Sequence, residues 1–189
     1  MLKLGAFSGV SLAWLALGCN NVGASPPAPP PCELECQDQV AMRALREGMK
    51  LIFNIKLQGK PVGEHDEMAN CPQAGKARVF GTATSNAEQG ATEVDLTYAF
   101  TDCKYVHADE APAENYQMTA TGSITQSGII AVQPSATTAL LFHSDALSLD
   151  GSLYDPPLFY QAHDCALDLA QSGNDLNGTW CGRQVGLVL

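Results

Sequence analysis

His143-Ser144-Asp145 holds the three side-chain types of a nucleophile, a base and an acid. A relay of that kind needs hydroxyl, imidazole and carboxylate within hydrogen-bond reach of one another. Consecutive residues of a strand point to opposite faces, so these three cannot serve each other, and they read as a polar strand end. Glu64-His65-Asp66-Glu67 gathers three carboxylates and an imidazole, which could hold a divalent cation through oxygen ligands. The simpler reading is a solvated acidic loop. His163-Asp164 sets a base beside an acid just before Cys165, with no nucleophile that the sequence can name. Asn174-Asp175-Leu176-Asn177-Gly178 has calcium-loop residue types without the spacing or the terminal Glu, and reads as turn chemistry. In Trp180-Cys181-Gly182-Arg183, Trp180 and Arg183 are candidate ligand contacts, against the alternative of a C-terminal strand locked into a sheet. The chain has no Gly-x-Ser-x-Gly elbow, phosphate-binding glycine loop or His-Glu-x-x-His pair. No catalytic residue, metal site or cofactor is assigned on this basis.

The seven cysteines carry a different chemistry. Met1 and Lys3, an apolar stretch from about Gly5 to Leu17, and small or apolar residues leading into Cys19 have the layout of a cleaved export signal. That stretch is shorter than the roughly 20 apolar residues of a membrane span. Leu15-Ala16-Leu17-Gly18-Cys19 resembles the lipobox of bacterial lipoproteins, with Gly18 and Cys19 matching well and Ala16 and Leu17 departing from the usual Leu and small residue. The resemblance implies cleavage before Cys19, acylation of its thiol and new amino end, and a partner in membrane lipid, since several acyl chains on one residue anchor stably. Asn20 and Asn21 in place of an acidic retention residue favour the outer membrane by the Gram-negative sorting pattern. The alternative is an ordinary secretory signal cut near Ala24. On either reading the mature chain leaves the cytoplasm.

Export makes disulfides the expected use of the other six cysteines. Cys165 and Cys181 are equidistant from Gly173 in a Ser-Gly-Asn-Asp turn signal and should face each other across a hairpin. Cys32 and Cys36 lie one helical turn apart and are expected to bridge outward, with Cys71 and Cys103 as the remaining candidates. No Cys-x2-Cys pair points to zinc.

The elements that must position these groups follow from periodicity. Residues 1–18 are the expected signal peptide. Residues 19–31 form the anchor and a linker, whose Ser25-Pro26-Pro27-Ala28-Pro29-Pro30-Pro31 favours an extended, semi-rigid spacer. Residues 32–189 are read as one domain. A helix is predicted over 33–50, because Leu34, Ala41, Leu45, Met49 and Ile52 recur at helical intervals. Val94, Leu96, Tyr98 and Phe100 then alternate with polar or small residues as in a half-buried strand. Further strands are predicted at 76–85, 116–126, 137–143, 146–153, 158–170 and 176–185. Strands in succession imply a mainly β antiparallel meander, curved or barrel-like, with the N-terminal helix covering one side.

Net charge narrows the partners. Lys3 is the one charged residue of 1–18, so the rest carries nine basic against 20 acidic residues, a net charge of −11. Nucleic-acid binding, which needs clustered Lys and Arg, is not expected. The expected function is a noncatalytic envelope module that binds an unknown small molecule or envelope protein, or is purely structural. The alternative is an extracytoplasmic hydrolase with a dispersed site drawn from His107, His143, His163 and nearby carboxylates.

Overall fold

The computed structural model describes residues 32–86, 91–108, 114–131, 138–154 and 157–189. The signal peptide, Cys19 and the Pro-rich linker lie outside the described residues. Among the described residues, no helix is long and apolar enough to cross a membrane.

Helix α1 runs Leu34–Lys56 and buries Asp38, Ala41, Met42, Ala44, Leu45, Gly48, Met49 and Ile52. This is the predicted stripe with one exception: Leu34, in the first turn, is 51% exposed. The helix also continues six residues past position 50, where Leu51, Ile52, Phe53 and Ile55 sustain it. It stops where Leu57 N–H bonds to the Phe53 carbonyl and Gly59 enters the left-handed region, with Pro61 beyond. Gly48 sits mid-helix because a Cβ there would stand 3.1 Å from the Tyr105 ring. The glycine lets strand and helix approach closely at that point.

The expectation for Cys32 and Cys36 is corrected: they bridge to each other, Cα to Cα 5.3 Å. Cys32 precedes the N-cap Glu33, so it is not helical, and the chain folds back over the first turn to reach Cys36. Gln37 strengthens the fold-back by donating its side-chain amide to the Cys32 carbonyl at 2.8 Å. Cys71 therefore pairs with Cys103, and Cys165 with Cys181 as expected.

Eight strands follow in one antiparallel sheet whose spatial order is their chain order. They are β1 (Gly63–Asn70), β2 (Ala74–Asn86), β3 (Ala91–His107), β4 (Tyr116–Ala131), β5 (Ala139–Leu153), β6 (Leu158–Ser172), β7 (Asp175–Trp180) and β8 (Arg183–Val188). β1 and β8 remain unpaired with one another, so the sheet is an open meander, and α1 packs on its inner face against β1 to β5 and β8.

Three bulges explain where the alternation breaks. In β3 the buried set Val94, Leu96, Tyr98 and Phe100 resumes at Cys103 and Tyr105, with Asp102 at φ +48° and the β3–β4 register shifting there. In β5 it runs Leu140, Phe142 and Ser144, then Leu147 and Leu149, so the two runs predicted at 137–143 and 146–153 are one bulged strand. In β6 the bulge is at His163-Asp164, with Asp164 at φ +49° and its N–H on Ser148 Oγ at 3.0 Å. Bulges bend a strand and increase its twist, which lets the sheet follow the helix.

The strand predicted at 176–185 is two strands. Cys181 and Gly182, at φ +49° and +74°, form a two-residue turn that pairs Trp180 with Arg183. The core lies between α1 and the sheet, with Trp180, Tyr98, Met118, Leu149 and Leu153 fully buried within it. Complete burial of such side chains contributes roughly 1.5 to 3 kcal/mol each.

Candidate functional site

Trp180 and Arg183 lie at one end of the helix–sheet seam and bond inward. Asp38 in α1 is 1% exposed and accepts from Arg183 Nε and Nη2 at 2.7 and 2.9 Å. It also accepts the Tyr160 hydroxyl at 2.7 Å, and that hydroxyl accepts Trp180 Nε1–H at 2.7 Å. One carboxylate thus ties α1 to β6, β7 and β8. The hydrogen bond and charge of Asp38 hold the Arg183 guanidinium above its ordinary range, while burial, reinforced by Asp38, drives the Tyr160 hydroxyl upward.

The histidines of the dispersed-site reading lie on strand surfaces facing solvent. His143 Nδ1 meets its cross-strand neighbour Asp168 at 2.6 Å, and its Nε2 lies 3.3 Å from Asp145. The Asp168 hydrogen bond raises the imidazole above its ordinary value. Ser144 is buried on the opposite face, as strand alternation requires. His163 pairs with Asp150 at 3.2 Å, and His107 stacks on Tyr116 at 5.5 Å between centroids.

Glu64-His65-Asp66-Glu67 is corrected from a loop to the centre of β1. Asp66 receives Arg78 through two hydrogen bonds of 2.7 and 2.6 Å, and Glu67 pairs with Lys60. These hydrogen bonds hold both carboxyls below the usual carboxylate range. Residues 174–178 form the β6–β7 turn and the first half of β7. Among the described residues, no group of three or more His, Cys, Asp or Glu side chains is arranged to hold a metal ion.

A feature that sequence reasoning missed lies at the middle of the seam. Met42, Leu45 and Met49 of α1 face Ile124, Leu167 and Leu176 around a small apolar void of about 10 Å³, room for about one water. Arg46 alone among its lining residues is not buried. The guanidinium lies 5.4 Å from the centre of the Phe142 ring, and Nε donates to Gln171 Oε1 at 2.9 Å. Burial lowers its pKa, an effect that Tyr98 and the neighbouring Glu47 partly offset. The helical stripe pointed to a packed face at 41, 45 and 49; Arg46, between Leu45 and Glu47, lies at its margin.

Comparison with protein-family models, with curated proteins and with solved structures finds no match for this chain.

Proposed function

We propose that the chain is a lipid-anchored envelope lipoprotein whose disulfide-braced domain is a noncatalytic binding module. The anchor part of this reading rests on the lipobox-like Leu15 to Cys19 and the proline-rich spacer after it. The binding part rests on one observation, the partly desolvated Arg46 guanidinium at the margin of the α1–sheet seam, whose terminal nitrogens make no hydrogen bond with a described residue. The hydrolase alternative has the His143–Asp168 pair in its favour, but the neighbouring Ser144 hydroxyl faces the interior and so cannot serve that pair as a serine nucleophile.

Intact mass spectrometry on protein taken gently from its native membrane tests this reading, first under native and then under denaturing, non-reducing conditions. The expected result is a chain beginning at acylated Cys19, six hydrogens lighter than the reduced form for its three disulfides, that releases a noncovalent ligand on denaturation. A lipid-free chain beginning near Ala24 overturns the anchor. Absence of any released mass, together with hydrolysis of an ester or amide panel, overturns the binding module in favour of the hydrolase.

A further inference from the structure

We infer that the free edge of β8 docks a second copy of this chain, the two β8 strands pairing antiparallel about a twofold axis at Gly186. The inference goes beyond the binding-module reading and does not depend on it. Three features of the edge carry it.

The first is the direction of the backbone groups. Leu189 N–H bonds to the Asn174 carbonyl at 2.9 Å, and the register sets Leu187 opposite Leu176 and Val185 opposite Gly178. Bonded and non-bonded pairs alternate along an antiparallel ladder, so Arg183, Val185, Leu187 and Leu189 direct their backbone groups toward β7 and its turn. Gln184, Gly186 and Val188 therefore turn theirs away from the sheet, which ends at β8. Among the described residues, the hydrogen bond that reaches this row comes from Arg43, whose Nη2 donates to the Val188 carbonyl at 3.3 Å. A row of outward N–H and C=O groups is a template for another strand.

The second is the absence of protection. By the same alternation, with Cys71 N–H on the Gly75 carbonyl, the outward residues of the opposite edge, β1, are Glu64, Asp66, Met68 and Asn70. Two carboxylates in that row make β1 a poor edge for pairing. Gln184, Gly186 and Val188 are exposed and carry neither charge nor proline. Arg183, the one charged residue of β8, is held by Asp38. Two copies of formal net charge −10 repel at long range, so they approach most easily along an edge without carboxylates.

The third is self-complementarity. A twofold axis at Gly186 sets Gln184 opposite Val188 of the second copy, Gly186 opposite its own counterpart and Val188 opposite Gln184. This register pairs every outward residue of β8, and a shift to either side leaves some unpaired. On the inner face it sets Val185, which is buried, opposite Leu187, which packs against the core, and so continues the apolar side of both sheets. A twofold contact closes at two copies, whereas β8 added to the β1 edge of another copy would run on into an open chain.

The test uses the full exported chain with Cys19→Ser, so that no acyl chain drives association. Sedimentation velocity over a range of concentrations should show a monomer–dimer equilibrium. Amide hydrogen exchange should find Gln184, Gly186 and Val188 protected in the dimer and fast on dilution. Gln184→Lys with Val188→Lys sets Lys opposite Lys at both ends of the contact and should give a monomer. Gln184→Lys with Val188→Glu sets Lys opposite Glu and should restore the dimer, an outcome specific to a second copy in this register. Near-UV circular dichroism confirms that both variants are folded. A parent chain that stays monomeric up to about 1 mM overturns the inference. So does a dimer that survives the paired lysines, failure of the Lys–Glu variant to regain it, assembly beyond two copies, or protection of the three amides that persists in the monomer.

Discussion

Removing either side of the Asp38–Arg183 pair should destabilise the domain by unequal routes, because the two charges are buried to different degrees. The Asp38 side chain is 2% exposed and that of Arg183 39%. Asp38→Ala leaves a guanidinium that water can partly reach, and a Tyr160 hydroxyl that loses a charged acceptor, itself worth about 1.5 to 3 kcal/mol. Breaking a buried pair by deleting one partner costs about 3 to 5 kcal/mol, and the exposure of Arg183 sets this variant at the lower end, about 3 kcal/mol. Arg183→Ala leaves the deeply buried carboxylate with Tyr160 as its remaining donor, so it should cost at least as much. For a domain spanning Cys32–Leu189, about 3 kcal/mol corresponds to a fall in Tm of about 6 to 12 °C. Urea titration followed by circular dichroism under non-reducing conditions, at several pH values, measures both variants and the double variant. If each single variant unfolds within about 0.5 kcal/mol of the parent, the pair is not the buried clasp described above.

Three further predictions test other parts of the molecule. Loop-closure entropy ranks the disulfides by their separations of 32, 16 and 4 residues: replacing both cysteines by Ala should cost about 4 kcal/mol for Cys71–Cys103, about 3 for Cys165–Cys181 and about 2 for Cys32–Cys36. An inverted order in denaturant midpoints would contradict the pairing. His143 should titrate above the ordinary imidazole value by NMR and move back toward it in Asp168→Asn. The folded value being raised, its contribution is fully present below the unfolded imidazole value and is lost as pH rises through the folded one; an unmoved titration in Asp168→Asn would exclude the pair in solution. Cys19→Ser should release the protein from membranes, and retention after that change would refute the anchor.

The readings that succeeded relied on patterns local in sequence. The stripe at Ala41, Leu45, Met49 and Ile52 is a helix face, the alternation from Val94 to Phe100 is a strand, and the symmetry of Cys165 and Cys181 about Gly173 is a hairpin bridge. Those that failed needed information beyond a local pattern. β1 reads Gly-Glu-His-Asp-Glu-Met-Ala-Asn, with no β-branched residue and Ala69 alone buried, so neither propensity nor alternation announces it. It exists through its register with β2, where Asp66 on its solvent face lies within reach of Arg78. An edge strand dense in charge is also one that resists pairing with another chain, and the composition that hid the strand therefore suits its position.

The disulfide at the helix start and the setting of Arg46 failed to show for a related reason. A spacing of four residues indicates a shared face only if both residues are helical, and Cys32 lies one residue outside the N-cap, where the chain can turn back on its own first turn. Likewise Arg46 between Leu45 and Glu47 reads as the margin of an amphipathic helix, a place where long cations ordinarily reach solvent. Only the strands opposite, carrying Phe142 and Gln171, turn that margin into a partly desolvated seam. The bulges in β5 and β6 contribute to this arrangement: without the extra residue in each strand, Phe142 and Leu167 could not both face α1 together with Leu147 and Ala162 on the far side of the bulges. The same irregularities that obscured the strand period are thus what turn these side chains together onto the face that α1 covers.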